Sequence, residues 1–182
     1  RPRVLGVDQR QLCSDGGDHP LPDRQEQRDR GAVDQLVIGT WRWGSKYGDE
    51  YVDRLRAGVA RHLTQAHEFR VFTPKEEDRG LTEIPGCFAR LRMFDPAWQA
   101  EHGITGRLVC MDLDMIITGP LDELFDRPEP FTILQGANAS NPCPYNGSLM
   151  QLRAGAHPEV WSEFSLEAAR AAPFYEFPDD QG

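Results

Sequence analysis

Two carboxylates, Asp112 and Asp114, stand one residue apart in the stretch RLVCMDLDMIITGPLDELFD (107–126), directly after Leu108, Val109, Cys110 and Met111. A carboxylate taken out of water is costly unless it is paired, hydrogen-bonded or bound to a metal. On a strand, side chains two apart point to the same side and lie roughly 5–7 Å from each other. Two like charges so placed repel unless something positive lies between them. A divalent cation turns that repulsion into binding, and hard oxygen ligands suit Mn2+ or Mg2+, which readily share their shell with phosphates. The plainer alternative is that one Asp caps a turn while the other pairs with an arginine.

Such a pair needs a strand behind it and a cleft ahead of it. Leu36, Val37 and Ile38 form a short apolar run that ends in Gly39 and Thr40 and predicts a buried strand opening into a loop at Gly44. Tyr51, Leu55, Val59 and Leu63 recur every fourth residue and predict a helix, with Asp49 as its cap. FRVF (69–72) reads as a second strand, the polar stretch from Lys75 as turns, and CFARLRMF (87–94) as a helical segment. RLVCMDLDMIIT (107–118) reads as a third strand carrying both carboxylates, followed by a turn or short helix in GPLDELF. FTILQG (131–136) and YNGSLMQL (145–152) read as further strands, and HPEVWSEFSLEAARA as a closing helix with Pro158 in its first turn. This order predicts an α/β domain whose mainly parallel sheet is covered by helices. Ligands of such sheets sit beyond the carboxyl ends of the strands, where Asp112 and Asp114 are expected.

The whole chain is acidic, with a net charge of −9 from 29 acidic and 20 basic residues, and only Lys46 and Lys75 are lysines. That balance argues against nucleic-acid binding. An anionic ligand is compatible with it only where a metal or a few arginines compensate locally. The four cysteines form no CxxC pair, so zinc-ribbon and thioredoxin-type readings fail. Free thiols and a reducing, cytoplasmic setting are expected. No apolar run is long enough for a transmembrane segment. Residues 1–35 are nearly devoid of apolar periodicity and read as a flexible leader, with 36–182 as the folded domain. An Arg at position 1 leads to the expectation of a processed or missing start.

Two enzyme classes place a DxD after a strand of this kind. Phosphatases of the haloacid-dehalogenase type want Thr or Val two residues after the second Asp and a downstream Lys. Here Ile116 occupies that position and no Lys follows Lys75. The other class is the nucleotide-sugar glycosyltransferases. The segments FARLRMF, GRLVCMDLDMIITGPLDELFD, YNGSLMQLRAG and DDQG, in that order, resemble the glycogenin-like, family 8 type of glycosyltransferase and its bacterial relatives over about Leu36 to Gly182.

The resemblance implies a GT-A fold, a Rossmann-like sheet with helices on both faces of the nucleotide-diphospho-sugar transferase type. It implies a nucleoside diphosphate sugar, UDP-linked, as donor partner, an unknown acceptor, and Mn2+ (or Mg2+) as cofactor. Asp112 and Asp114 match the metal- and ribose-binding pair. Thr40 and Trp41 match the uracil- and ribose-holding strand end, with plain packing as the alternative for Trp41 and Trp43. Arg90 matches a basic residue reaching the donor diphosphate or sugar, with a surface arginine as the alternative. Asn146, Gly147 and Ser148 match the segment beside the donor sugar. Asp180 and Gln181 match a segment near the transferred sugar, in a catalytic role together with Asn146. The family brings a third metal ligand, a His, from beyond the position of Gly182; His157 is a poor substitute. The implied domain is therefore expected to be C-terminally incomplete. A non-catalytic module that binds a nucleotide or sugar, or an interaction protein with a structural DxD, are the rival readings.

Overall fold

A computed structural model of the chain describes residues 35–82, 87–136, 143–171 and 180. The leader assigned to residues 1–35 lies outside them except for Gln35, whose side chain accepts from Thr105 N–H and donates to Gly103 O. Residues 34–182 form one compact unit.

The described residues build a mixed α/β architecture around a five-stranded open sheet in the order β2-β1-β3-β5-β4. β1 (Leu36–Trp41) is buried along its whole length, as a near-continuous apolar run requires when both sheet faces are covered. It pairs in parallel with β2 (Glu68–Phe72) on one side and with β3 (Arg107–Met111) on the other. β5 (Tyr145–Arg153) runs antiparallel to β3 and to β4 (Phe131–Gln135). Four strands thus run one way and β5 runs against them, so the sheet expected to be mainly parallel is mixed, with two parallel and two antiparallel pairings. The reason is local: β4 ends at Gln135 and β5 starts at Tyr145, a separation shorter than the dozen or more residues that a parallel crossover needs, so the two pair antiparallel.

Helices cover both faces. α1 (Asp49–His62) buries Val52, Leu55 and Val59 against Leu36, Ile38, Val109 and Met111 of the sheet. Its acidic first turn and basic last turn suit the helix dipole. Asp49 is the first helical residue rather than the cap, which is Gly48, and its carboxylate pairs with Arg42. On the opposite face Val37, Trp41, Leu108 and Leu152 meet Phe88, Leu91, Phe94 and Trp98. These come from a 3-10 segment (Phe88–Phe94) and from α3 (Pro96–Glu101), which follows the short α2 (Arg79–Thr82). α3 starts on a capping Asp95, whose carboxylate accepts from Ala97 N–H at 2.9 Å, with Pro96 in the first turn. α4 (Asp122–Phe125) follows β3. The closing helix expected over 157–171 is two short ones, α5 (Glu159–Ser162) and α6 (Leu166–Arg170). Between them Phe164 packs on the core and Ser165 restarts the helix by accepting from Ala168 N–H. Among the described residues no helix is long and apolar enough to cross a membrane.

Candidate functional site

β1 connects through α1 to β2 on one side, while β3 lies on the other side of β1. The carboxyl ends of β1 and β3 therefore flank a topological switch point, the place where open α/β sheets bind ligands. β3 reaches that end earlier than the sequence pattern suggests. The strand stops at Met111, and Asp112–Met115 is a turn closed by Met115 N–H on Asp112 O at 3.2 Å. The two carboxylates are thus not on one strand, and the alternation that would align them does not apply. Leu113 explains the break: it turns into the core cluster under α1 and leaves the Asp on either side of it to find separate partners.

Asp112 lies just beyond β3, its N–H donating to Ser148 O at 2.9 Å. Its side chain is 33% exposed and accepts from Arg90 Nη1. Arg90 sits in the 3-10 segment among Phe88, Leu91, Met93 and Phe94, so the guanidinium is buried with them. Its Nε and Nη2 reach the two oxygens of Asp180 at 2.7 and 3.0 Å, and Nη1 also donates to Gly147 O at 3.0 Å. The Asp180 side chain is 1% exposed. Burial works to lower the pKa of Arg90, but Asp180 and Asp112 overcome it and hold the group firmly protonated. One cation thus faces two carboxylates.

Asp114 is exposed and accepts from the Tyr47 hydroxyl at 2.8 Å, a bond that spans the crevice between the β1 and β3 ends. The Tyr47 phenol is raised by burial and by Asp114, with Lys46 opposing. Lys46 stands over the Tyr47 ring at 4.7 Å, and its own pKa is raised by Tyr47. Asn146 Oδ1 accepts from Ser148 N–H at 2.9 Å and shapes the start of β5.

The structure therefore brings Arg90, Asp112, Asp180 and the 146–148 segment together, with Asp114 close in sequence but bonded elsewhere. Thr40 Oγ1 and Trp41 Nε1 form no hydrogen bond to that cluster. Thr40 is fully buried, and Trp41 stacks on Trp98 at 5.3 Å inside the core. Gln181 lies outside the described residues. His157 is 3.0 Å from Glu159. Tyr47 was missed in the sequence; its position in a loop leaving the carboxyl end of β1 was the signal available.

The fit to a divalent cation is partial. Asp112 and Asp114 offer hard anionic oxygens, each bonded to the protein through one of its two oxygens. Among the described residues no group of three or more His, Cys, Asp or Glu side chains is gathered to hold a metal. The pair suits a cation whose shell is completed by phosphate oxygens and water, as Mg2+ and Mn2+ shells commonly are. No family model matches the chain, and no curated protein matches it.

Proposed function

We propose that the protein is a metal-dependent glycosyltransferase of the glycogenin-like, GT-A type, moving a sugar from a UDP-sugar to an acceptor hydroxyl. The observation that carries this reading is the Asp180–Arg90–Asp112 chain, which runs from a buried carboxylate to a part-exposed one beside Asn146–Ser148 at the carboxyl end of β3. Asp112 and Asp114 are the residues that would hold Mn2+ or Mg2+. Such an ion, when bound, neutralises charge that builds on a leaving diphosphate. Arg90 already spends four of its five N–H groups on protein acceptors, so it acts as a positioning residue that fixes the Asp112 carboxylate. Asn146 and Ser148 supply an amide and a hydroxyl for the donor sugar. Tyr47 orients Asp114 through its hydroxyl.

One observation favours a second reading, a module that binds a nucleotide sugar without turning it over. Both oxygens of Asp180 are given to Arg90, which leaves that carboxylate poorly placed to touch a sugar. Titrating uridine diphosphate with and without Mn2+ tests both readings against a purely structural DxD. Release of free sugar or transfer from a UDP-sugar then separates the enzyme from the binding module. Metal-independent affinity would sink both.

A further inference from the structure

A cleft of about 360 Å³ lies between α1 and the segment that follows the carboxylate pair. That segment is pinned at three points, two of them on the helix. Tyr47 holds Asp114 at one end. Ile117 packs on Gly58 so closely that an added Cβ there would sit 3.3 Å from its Cδ1. Leu121 N–H donates to His62 O at 2.8 Å at the other end. A crevice fixed this way is part of the fold rather than a gap between loose loops.

Arg54 and Arg61 line one wall. They are two turns apart on one face of α1, about 10 Å along the axis, within reach of two long side chains converging on one group. In this acidic chain Arg42, Arg56, Arg70, Arg79, Arg90 and Arg92 each meet a carboxylate. Among the described residues Arg54 and Arg61 form no ion pair; Arg54 instead lies 5.8 Å from the Tyr51 ring centre. The other wall carries Met115 and Ile116, and Ile116 is 72% exposed, a large aliphatic side chain left in water beside two guanidinium groups. Leu55 and Leu113 form an apolar floor. Asp114, at the pinned end, repels a second anionic group there.

We propose that this cleft is a binding site for a small phosphomonoester with an apolar body. The phosphate lies between Arg54 and Arg61, which suit its oxygens bidentately, and the apolar body covers Ile116 and the floor. The inference does not rest on the transferase reading.

Calorimetric titration with phenyl phosphate, inorganic phosphate and phenol tests it, on the full chain and on two exposed-surface variants, Arg54→Gln/Arg61→Gln and Ile116→Ser. Thermal melts confirm that each folds. The wild type binds phenyl phosphate more tightly than either fragment. The double variant loses about tenfold or more, the loss of charge-assisted hydrogen bonds. Ile116→Ser weakens phenyl phosphate but leaves inorganic phosphate unchanged. Equal affinity for phenyl and inorganic phosphate in the wild type, or an unchanged double variant, overturns the proposal. Mn2+-dependent uridine diphosphate binding, measured on the same variants, reports separately on the transferase reading.

Discussion

Burying a guanidinium is tolerated at Arg90 because four of its N–H groups find acceptors and two carboxylates balance its charge. Arg90→Met removes the cation that both oxygens of the buried Asp180 face. The expected cost is about 3–5 kcal/mol in urea unfolding, the range for breaking a buried pair. Arg90→Met/Asp180→Leu should recover part of that loss, because it removes both charges together. A double variant no more stable than the single one would show that the pair is not the source. Cys110, on the neighbouring strand, makes a second residue-scale case. Burial pushes its thiol up from 9.0 to about 12, against the pull of Arg90. The unfolded chain then releases this proton above pH 9 while the folded chain keeps it, so the folded state loses ground as pH rises between those values. The slope from this thiol is about 1.4 kcal/mol per pH unit. Cys110→Ala should flatten the alkaline limb of a stability–pH profile; an unchanged limb would assign it to other groups.

At the scale of elements, packing between strands sets what each can carry. A Cβ at Gly39 on β1 would lie 2.5 Å from Cε2 of Phe72, which packs across from β2. Gly39→Ala should destabilise by about 1–3 kcal/mol through overpacking, and Phe72→Leu in the same chain should return part of it. Chemical denaturation of the two variants decides the matter, since an additive second loss would place the strain elsewhere. Elements with a strong period were legible in the chain itself: α1 from its four-residue apolar stripe, β1 and β2 from short apolar runs. The extent of β3 was not. MDLDMII reads as a continued strand, but the turn at Asp112 depends on Leu113 finding the core under α1, a contact with residues far along the chain. α3 carries a helix-start signal in Asp95-Pro96, but its 6 residues are too few to show an apolar period. The site shows the same division. Arg90, Asp112 and Asp180 could each be named from local motifs, but the hydrogen bonds joining them span 22 and 90 residues. No periodicity encodes a contact of that length.

At the scale of the whole molecule, the net charge of −9 sets a field against which any anionic ligand must approach. Site chemistry and long-range field then make opposite demands, and salt separates them. Without a divalent cation, uridine diphosphate meets the protein's own negative potential and the carboxylates of Asp112 and Asp114. Raising the ionic strength from about 0.01 M to about 0.1 M shortens the screening length from about 30 Å to about 10 Å, so the weak metal-free affinity should rise. Mn2+ bound by Asp112 and Asp114 would cancel their two negative charges and offer the diphosphate a cation. Binding should tighten about tenfold or more, since a cation at the solvent-exposed Asp114 and part-exposed Asp112 would act through a partly screened field. Its salt dependence should then reverse, falling as ionic strength rises. Asp114→Ala should abolish both the metal gain and the reversal. Asp114→Asn should do nearly the same, since it keeps the shape and the Tyr47 contact while removing the charge. Calorimetric titration at the two ionic strengths, with and without Mn2+, reads all four conditions. Affinity that falls with salt even without metal would mean that uridine diphosphate is drawn by arginines alone. Affinity indifferent to metal would return the carboxylate pair to a structural role, with Asp112 serving Arg90 and Asp114 serving Tyr47.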